Sequence, residues 1–212
     1  MRIGAEFVTS AAGAGDFPRD GLPEIAFVGR SNVGKSSLIN ALVRARVART
    51  SAAPGKTRLA NVYRIVRDGS ALYLVDLPGY GYTRGGAGGF ERLIDEYFGR
   101  ASGRAALLLV DARHPGLASD VDAWRWLQAA VDCRDIVATK IDKLARGQRI
   151  RALGTLESVF HHPVLAVSAV TGEGMEDLWK LIDRLTNSRN NSSSRRRSSS
   201  PRKATAPPPR TR

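Results

Sequence analysis

The chain has 212 residues, 42% of them apolar, with 33 basic and 20 acidic side chains and a formal charge of +13. That is enough for one sizeable α/β core, and a single cysteine, Cys133, leaves no disulfide framework and reads as a buried thiol in a reducing cytosol. No apolar run approaches the ~20 residues of a membrane span. The opening stretch mixes Glu6 and Asp16 into a broken apolar pattern, so an uncleaved, soluble, cytoplasmic chain without membrane association is expected.

Residues 1–23 are expected to form an N-terminal extension packing on a domain of residues 24–186. Within that domain, short β-branched or aromatic runs bounded by Gly, Pro or charge predict strands at 24–28, 61–66, 71–76, 105–111, 135–140 and 164–168. Helices are predicted between and after them, at 35–45, 90–100, 118–132, 147–160 and 174–186. The last shows Met175, Leu178, Trp179, Ile182 and Leu185 on one face, which places Trp179 in the core. Trp124 and Trp126, two apart on a helix, do not share a face, so one is expected to be exposed as a partner contact.

Asp68-Gly69 is a tight-turn pair, so strands 61–66 and 71–76 should form an antiparallel hairpin. The other strands alternate with helices and should run parallel. The expected architecture is a three-layer α/β fold with a six-stranded, mostly parallel sheet, one antiparallel hairpin at its edge and helices on both faces. Such a sheet takes its ligand at the carboxyl ends of its strands. Residues 187–212 hold eight Arg or Lys, no acid and no large apolar side chain, so a disordered basic tail is expected there.

The strand ends carry the chemistry. The first leads into Gly29-Arg-Ser-Asn-Val-Gly-Lys-Ser36, which fits the phosphate-binding G-x-x-x-x-G-K-[ST] pattern in its required strand-to-helix context. Its backbone N–H groups and the helix N-terminus can cradle a β-phosphate, Lys35 can bridge the β- and γ-phosphates, and the Ser36 hydroxyl can ligate Mg²⁺. The strand ending at Asp76 opens Asp-Leu-Pro-Gly79, with a carboxylate for a magnesium-bound water and a Gly79 N–H facing the γ-phosphate.

Thr139-Lys-Ile-Asp142 offers a carboxylate to the N1–H and N2 amino donors of guanine, a pair adenine lacks, with Lys140 lying across the base. Ser168-Ala-Val170 follows the last strand, where backbone N–H groups around Ala169 can reach the guanine O6. Between the first helix and the hairpin, Arg49 to Arg58 is a loop in which Thr57 is the candidate to complete the magnesium shell. Tyr80 stands where many GTPases carry a water-orienting Gln. Its hydroxyl, at the end of a rigid ring, is expected to point away, which leaves slow hydrolysis resting on Lys35, Mg²⁺ and backbone donors.

From about residue 3 to residue 186 the chain resembles the EngB family of bacterial GTPases, also called YihA or YsxC. The resemblance is carried by AEFVTSA, PEIAFVGRSNVGKSSLINAL, ARTSAAPGKT, LVDLPGYGY, DARHPG, ATKIDKL and SAVTGEGMEDLW. It implies a P-loop GTPase fold, GTP and Mg²⁺ binding, action on the large ribosomal subunit or its precursor during assembly, and a need in normal cell division and septation. Separately from that resemblance, Asn32 supplies a side-chain carbonyl at the place where related GTPases hold a potassium ion, which makes potassium a candidate supplementary charge. The chain departs from the family in TRGGAGGF after PGYGY, in Arg58, where relatives often carry Gln, and in its basic tail.

The candidate nucleotide-binding set is thus Gly29, Arg30, Ser31, Asn32, Val33, Gly34, Lys35, Ser36, Ser37, Gly55, Lys56, Thr57, Arg58, Leu59, Asp76, Leu77, Pro78, Gly79, Thr139, Lys140, Ile141, Asp142, Ser168, Ala169 and Val170. Lys35, Thr57 and Gly79 are the candidate catalytic groups, and Ser36, Thr57 and, through water, Asp76 the candidate metal ligands. The tail and Arg44, Arg46, Arg49, Lys56 and Arg58 form a basic surface that either meets ribosomal RNA phosphates or is simply solvated. A monomer is expected. A division scaffold that hydrolyses little GTP and an RNA-binding protein with a vestigial pocket are the rival readings.

Overall fold

The computed structural model describes residues 3–49, 59–80, 87–100 and 104–197, with side chains undescribed at 87–92 and 188–197. Seven strands form one sheet in the order β1-β3-β4-β2-β5-β6-β7. They are β1 (Ile3–Ala11), β2 (Glu24–Gly29), β3 (Ala60–Arg67), β4 (Ser70–Asp76), β5 (Arg104–Asp111), β6 (Arg134–Thr139) and β7 (Val164–Ala166). The helices are α1 (Lys35–Val43), α2 (Ala87–Gly99), α3 (Ala118–Ala130), α4 (Arg146–Phe160) and α5 (Met175–Arg197).

The expected strand count of six is corrected to seven, because the start of the chain supplies β1. That strand pairs antiparallel with β3 from Ile3↔Arg67 to Ala11↔Ala60, with an irregularity between Phe7 and Thr9. The hairpin is therefore not the sheet edge, because β1 covers β3. At its turn Asp68 and Gly69 both have positive φ (48° and 84°), the backbone that a two-residue hairpin with Asp-Gly adopts. Strand β3 alone runs against the rest, since β4, β2, β5, β6 and β7 pair in parallel.

Strand β5 is buried at every residue, and its alternate side chains feed two cores. Ala106, Leu108 and Val110 join α2, α3 and α4 on one face, while Ala105, Leu107 and Leu109 join α1 and α5 on the other. A parallel strand covered on both faces has no polar side to show, so its sequence reads as an unbroken apolar run. Trp179 anchors α5 in the second core, donating from Nε1 to Leu42 O at 3.2 Å beneath the Arg67 guanidinium.

Several expectations need correction. Trp126 is not an exposed partner contact. It packs half-buried against the first core, edge-on to Phe98, while Trp124 is buried. Cys133 is half-buried rather than buried. Helix α5 continues to Arg197, past its predicted end at 186 and into the segment expected to be disordered. No Gly or Pro occurs between 175 and 197, and once a packed turn exists each further residue adds one hydrogen bond. Residues 198–212 lie outside the described residues. On α1, Arg44 turns left-handed (φ 54°) and ends the helix two residues early.

Candidate functional site

The loops at the carboxyl ends of β2, β4, β5 and β6 meet at one edge of the sheet. Leaving β2, the chain needs a turn tight enough to start α1 at Lys35. Asn32 (φ 63°) and Gly34 (φ 107°) supply it, and at Gly34 a side chain would strain the backbone. Lys35 is nearly buried, with its Nζ 3.1 Å from Gly29 O and 3.4 Å from Arg30 O, so its ammonium sits across the mouth of the loop. Burial pulls its pKa below the usual lysine range, and the nearby Asp76 opposes that fall.

Ser36 Oγ donates to Asp76 Oδ2 at 2.7 Å. Burial pushes the Asp76 carboxyl up, while Lys35 and the Ser36 hydrogen bond pull it back. A hydroxyl and a carboxylate side by side, next to a cation and a helix N-terminus, form the hard oxygen donor set that Mg²⁺ takes beside phosphate. Thr57, the third candidate ligand, lies outside the described residues, as do Gly55, Lys56 and Arg58. Leu59 is exposed.

The Asp76 loop is fastened to the P-loop at two points. Arg30 and Tyr80 form a parallel bridge, with Ser31 N–H donated to Tyr80 O at 3.2 Å. Gly79 lies so close that a Cβ there would sit 2.6 Å from Ser31 N and 2.8 Å from Ser31 Cα. Leu77 and Pro78 are buried, and Leu77 N–H is donated to Phe27 O at 3.3 Å. The Tyr80 hydroxyl runs the other way and donates to Asp120 Oδ1 on α3 at 2.9 Å. Arg30 Nε lies 3.3 Å from the same oxygen, an ion pair by distance whose direction does not make it a hydrogen bond. Burial pushes the Asp120 carboxyl up, with the Tyr80 bond and Arg30 opposing it.

The base-reading candidates form a second tier. Asp142 Oδ1 accepts from Ser168 Oγ at 2.7 Å, which is the first cause holding its carboxyl below the usual range. Ser168 Oγ in turn accepts from Val170 N and Thr171 N. Thr139 faces inward, its Oγ1 2.8 Å from Val33 O and 3.1 Å from Val110 O, so it shapes the P-loop. Ile141 and Val33 are core residues, while Asn32, Ser37 and Val170 are exposed. Lys140, left-handed at φ 62°, sends Nζ to Asn32 O at 2.5 Å and Asp111 Oδ2 at 2.9 Å.

Sequence reasoning missed Asp111, Asp120 and the bond from Tyr80. Asp111 receives Arg113 at both oxygens as well as Lys140. A signal for it was present, because it ends an apolar strand just as Asp76 does. Asp120 had none, since an acid in a helix first turn reads as a dipole partner.

Comparison with known proteins bears on the family and the fold. The family model described as 50S ribosome-binding GTPase matches residues 24–140. The probable GTP-binding protein EngB of Pelotomaculum thermopropionicum is 42% identical over 189 residues, covering 85% of this chain and 94% of that protein. Its counterpart in Chlorobaculum tepidum is 45% identical over 190 residues, covering 86% and 97%. A solved structure of a probable GTP-binding protein engB aligns with TM-score 0.56 at 25% identity, over 78% of this chain and 99% of the other. A variant of Aquifex aeolicus Era bound to GDP.AlF4- aligns with TM-score 0.67 over 78% of this chain and 57% of that one; at 22% identity it speaks for the fold alone. By sequence over most of its length and by fold, the chain belongs to the EngB family of GTP-binding proteins, a GTP hydrolase with guanine nucleotide as its ligand.

Proposed function

We propose that the chain is a slow, Mg²⁺-dependent GTPase switch that acts on the large ribosomal subunit or its precursor in the bacterial cytoplasm, and that normal cell division and septation depend on it. The observation that carries this reading is the convergence of Lys35, Ser36, Asp76 and Gly79 on the P-loop, with Asp142 and Ser168 beyond it at the base end. The description of the matched family as ribosome-binding supports the choice of partner. Arg44, Arg46 and Arg49, which follow α1, are exposed and suit RNA phosphates, because such contacts need charge rather than base shape.

In this reading Lys35 and the backbone N–H groups of the loop hold the β- and γ-phosphates in line, and Gly79 N–H reads the γ-phosphate. Ser36, Thr57 and, through water, Asp76 would hold Mg²⁺, which when bound offsets charge on the phosphate oxygens. Positioning and charge account for most of phosphoryl-transfer catalysis, so a site without a water-orienting amide still turns over slowly. Tyr80, engaged with Asp120, supplies no such amide. A potassium ion at Asn32 would add positive charge. Equal turnover in potassium and sodium at matched ionic strength would remove Asn32 from that role.

The test is sedimentation of the full chain with purified large subunits in GDP and in a non-hydrolysable GTP analogue. Co-sedimentation that depends on the nucleotide is expected. Association equal in both nucleotides, or absent in both, would refute the switch on the ribosome.

A further inference from the structure

Tyr80 follows the residue read as the γ-phosphate sensor, yet it is held from two sides. Its carbonyl accepts Ser31 N–H at 3.2 Å, and its hydroxyl donates to Asp120 at 2.9 Å. Asp120 is 1% exposed and also faces Arg30 Nε at 3.3 Å. Arg30 and Ser31 are neighbours, so the contacts close a ring: P-loop backbone, Tyr80 backbone, Tyr80 hydroxyl, Asp120 and back to the P-loop. Gly79 sits inside that ring, too close to Ser31 for any Cβ.

A carboxylate this deeply buried is costly unless paired and hydrogen-bonded. Asp120 lies in the first turn of α3 and is buried along with the helix's core residues Trp124 and Leu127. What the acid does is tie the Tyr80 ring to α3 and balance the arginine of the P-loop. A tyrosine ring is rigid, so fixing its tip at Asp120 and its carbonyl at Ser31 leaves little freedom for the residue before it.

We infer that Asp120 is a positioning residue for the Gly79 N–H, acting through Tyr80, and that the first turn of α3 is thereby part of the γ-phosphate switch. This rests on the reading that Gly79 senses the γ-phosphate. The tyrosine in the usual glutamine position thus aligns backbone in place of orienting water. Because the ring passes through Asp120, a γ-phosphate that shifts Gly79 moves the start of α3 as well.

The experiment uses the full chain as Tyr80→Phe, Asp120→Ala, Asp120→Asn and the Tyr80→Phe/Asp120→Ala double variant. Each is measured for binding of fluorescent GDP and a fluorescent non-hydrolysable GTP analogue, and for single-turnover hydrolysis. A hydrogen bond to a charged group corresponds to about tenfold or more in an equilibrium. Tyr80→Phe and Asp120→Ala should each lower analogue affinity and turnover about tenfold while leaving GDP affinity within about twofold. The double variant should be no worse than either single change, and Asp120→Asn, whose amide oxygen still accepts from Tyr80, should recover part of the loss. Equal losses of GDP and analogue affinity would mean a merely structural role and overturn the inference, as would unchanged values for both single variants. Gly79→Ala separates the two layers: if it too leaves GTP discrimination intact, Gly79 is not the sensor and both readings fall.

Discussion

Gly79→Ala tests the close approach on which the γ-phosphate reading depends. The added Cβ would lie 2.6 Å from Ser31 N, 2.8 Å from Ser31 Cα and 2.9 Å from Ser31 Oγ. Ordinary contact begins near 3.5 Å, so the Asp76 loop must retreat by about 0.9 Å at its tightest point. The neighbouring atoms are mostly backbone and cannot rotate aside. Gly79 does not have positive φ, so alanine suits its local conformation and the effect is purely one of proximity.

Overpacking of this kind costs about 1–3 kcal/mol, enough to open the Ser31 to Tyr80 bond without unfolding the chain. A shift near 1 Å at a reacting centre lowers a rate by about 100-fold. Single-turnover GTP hydrolysis should therefore fall by about that factor, with GDP affinity within about threefold of the parent because GDP lacks the γ-phosphate. Hydrolysis at the parent rate in a folded Gly79→Ala protein would refute the reasoning.

Asp142→Asn should exchange base preference, because an amide places a donor where guanine also donates. GDP affinity should drop by at least about 100-fold and xanthosine diphosphate, with an acceptor at C2, should gain, as read by competition against a fluorescent nucleotide. Trp179→Ala should cost about 3–5 kcal/mol in urea unfolding, since it empties a site 4% exposed and strands Leu42 O; a loss under about 1 kcal/mol would contradict the packing. Asp111 gives a pH test: burial alone would raise its pKa, but hydrogen bonds from Arg113 and Lys140 outweigh it and hold the carboxyl well below its ordinary 3.8. Its folded pKa being depressed, its contribution is complete above pH 3.8 and is lost as pH falls below it. The gap in unfolding midpoint between the parent and Asp111→Asn should therefore hold steady near neutrality and narrow under acid.

The readable parts of the site were those whose geometry is local. Gly34 and Lys35 mark a strand-to-helix turn because one backbone shape serves that chemistry, and neighbours in sequence build it. Asp68-Gly69 specified the hairpin for the same reason. The buried strands were readable from their unbroken apolar runs, since a strand covered on both faces carries no polar side. Boundaries were less legible. Helix α5 runs on to Arg197 because nothing in its polar stretch stops it, and polarity alone had suggested a tail.

By itself the sequence determined the order of strands and helices, the phosphate loop and the family. Only the tertiary structure decided that residues 3–11 would become a seventh strand, since their partners on β3 lie about fifty to sixty residues away along the chain, from Ala11↔Ala60 to Ile3↔Arg67. It likewise decided that Trp126 would meet Phe98, that Lys140 would rest on Asp111, and that Tyr80 would be tied to Asp120. Each of these pairs joins different elements, and which faces meet is settled by how the helices pack on the sheet. A side chain announces its chemistry locally, but its partner is chosen by the fold.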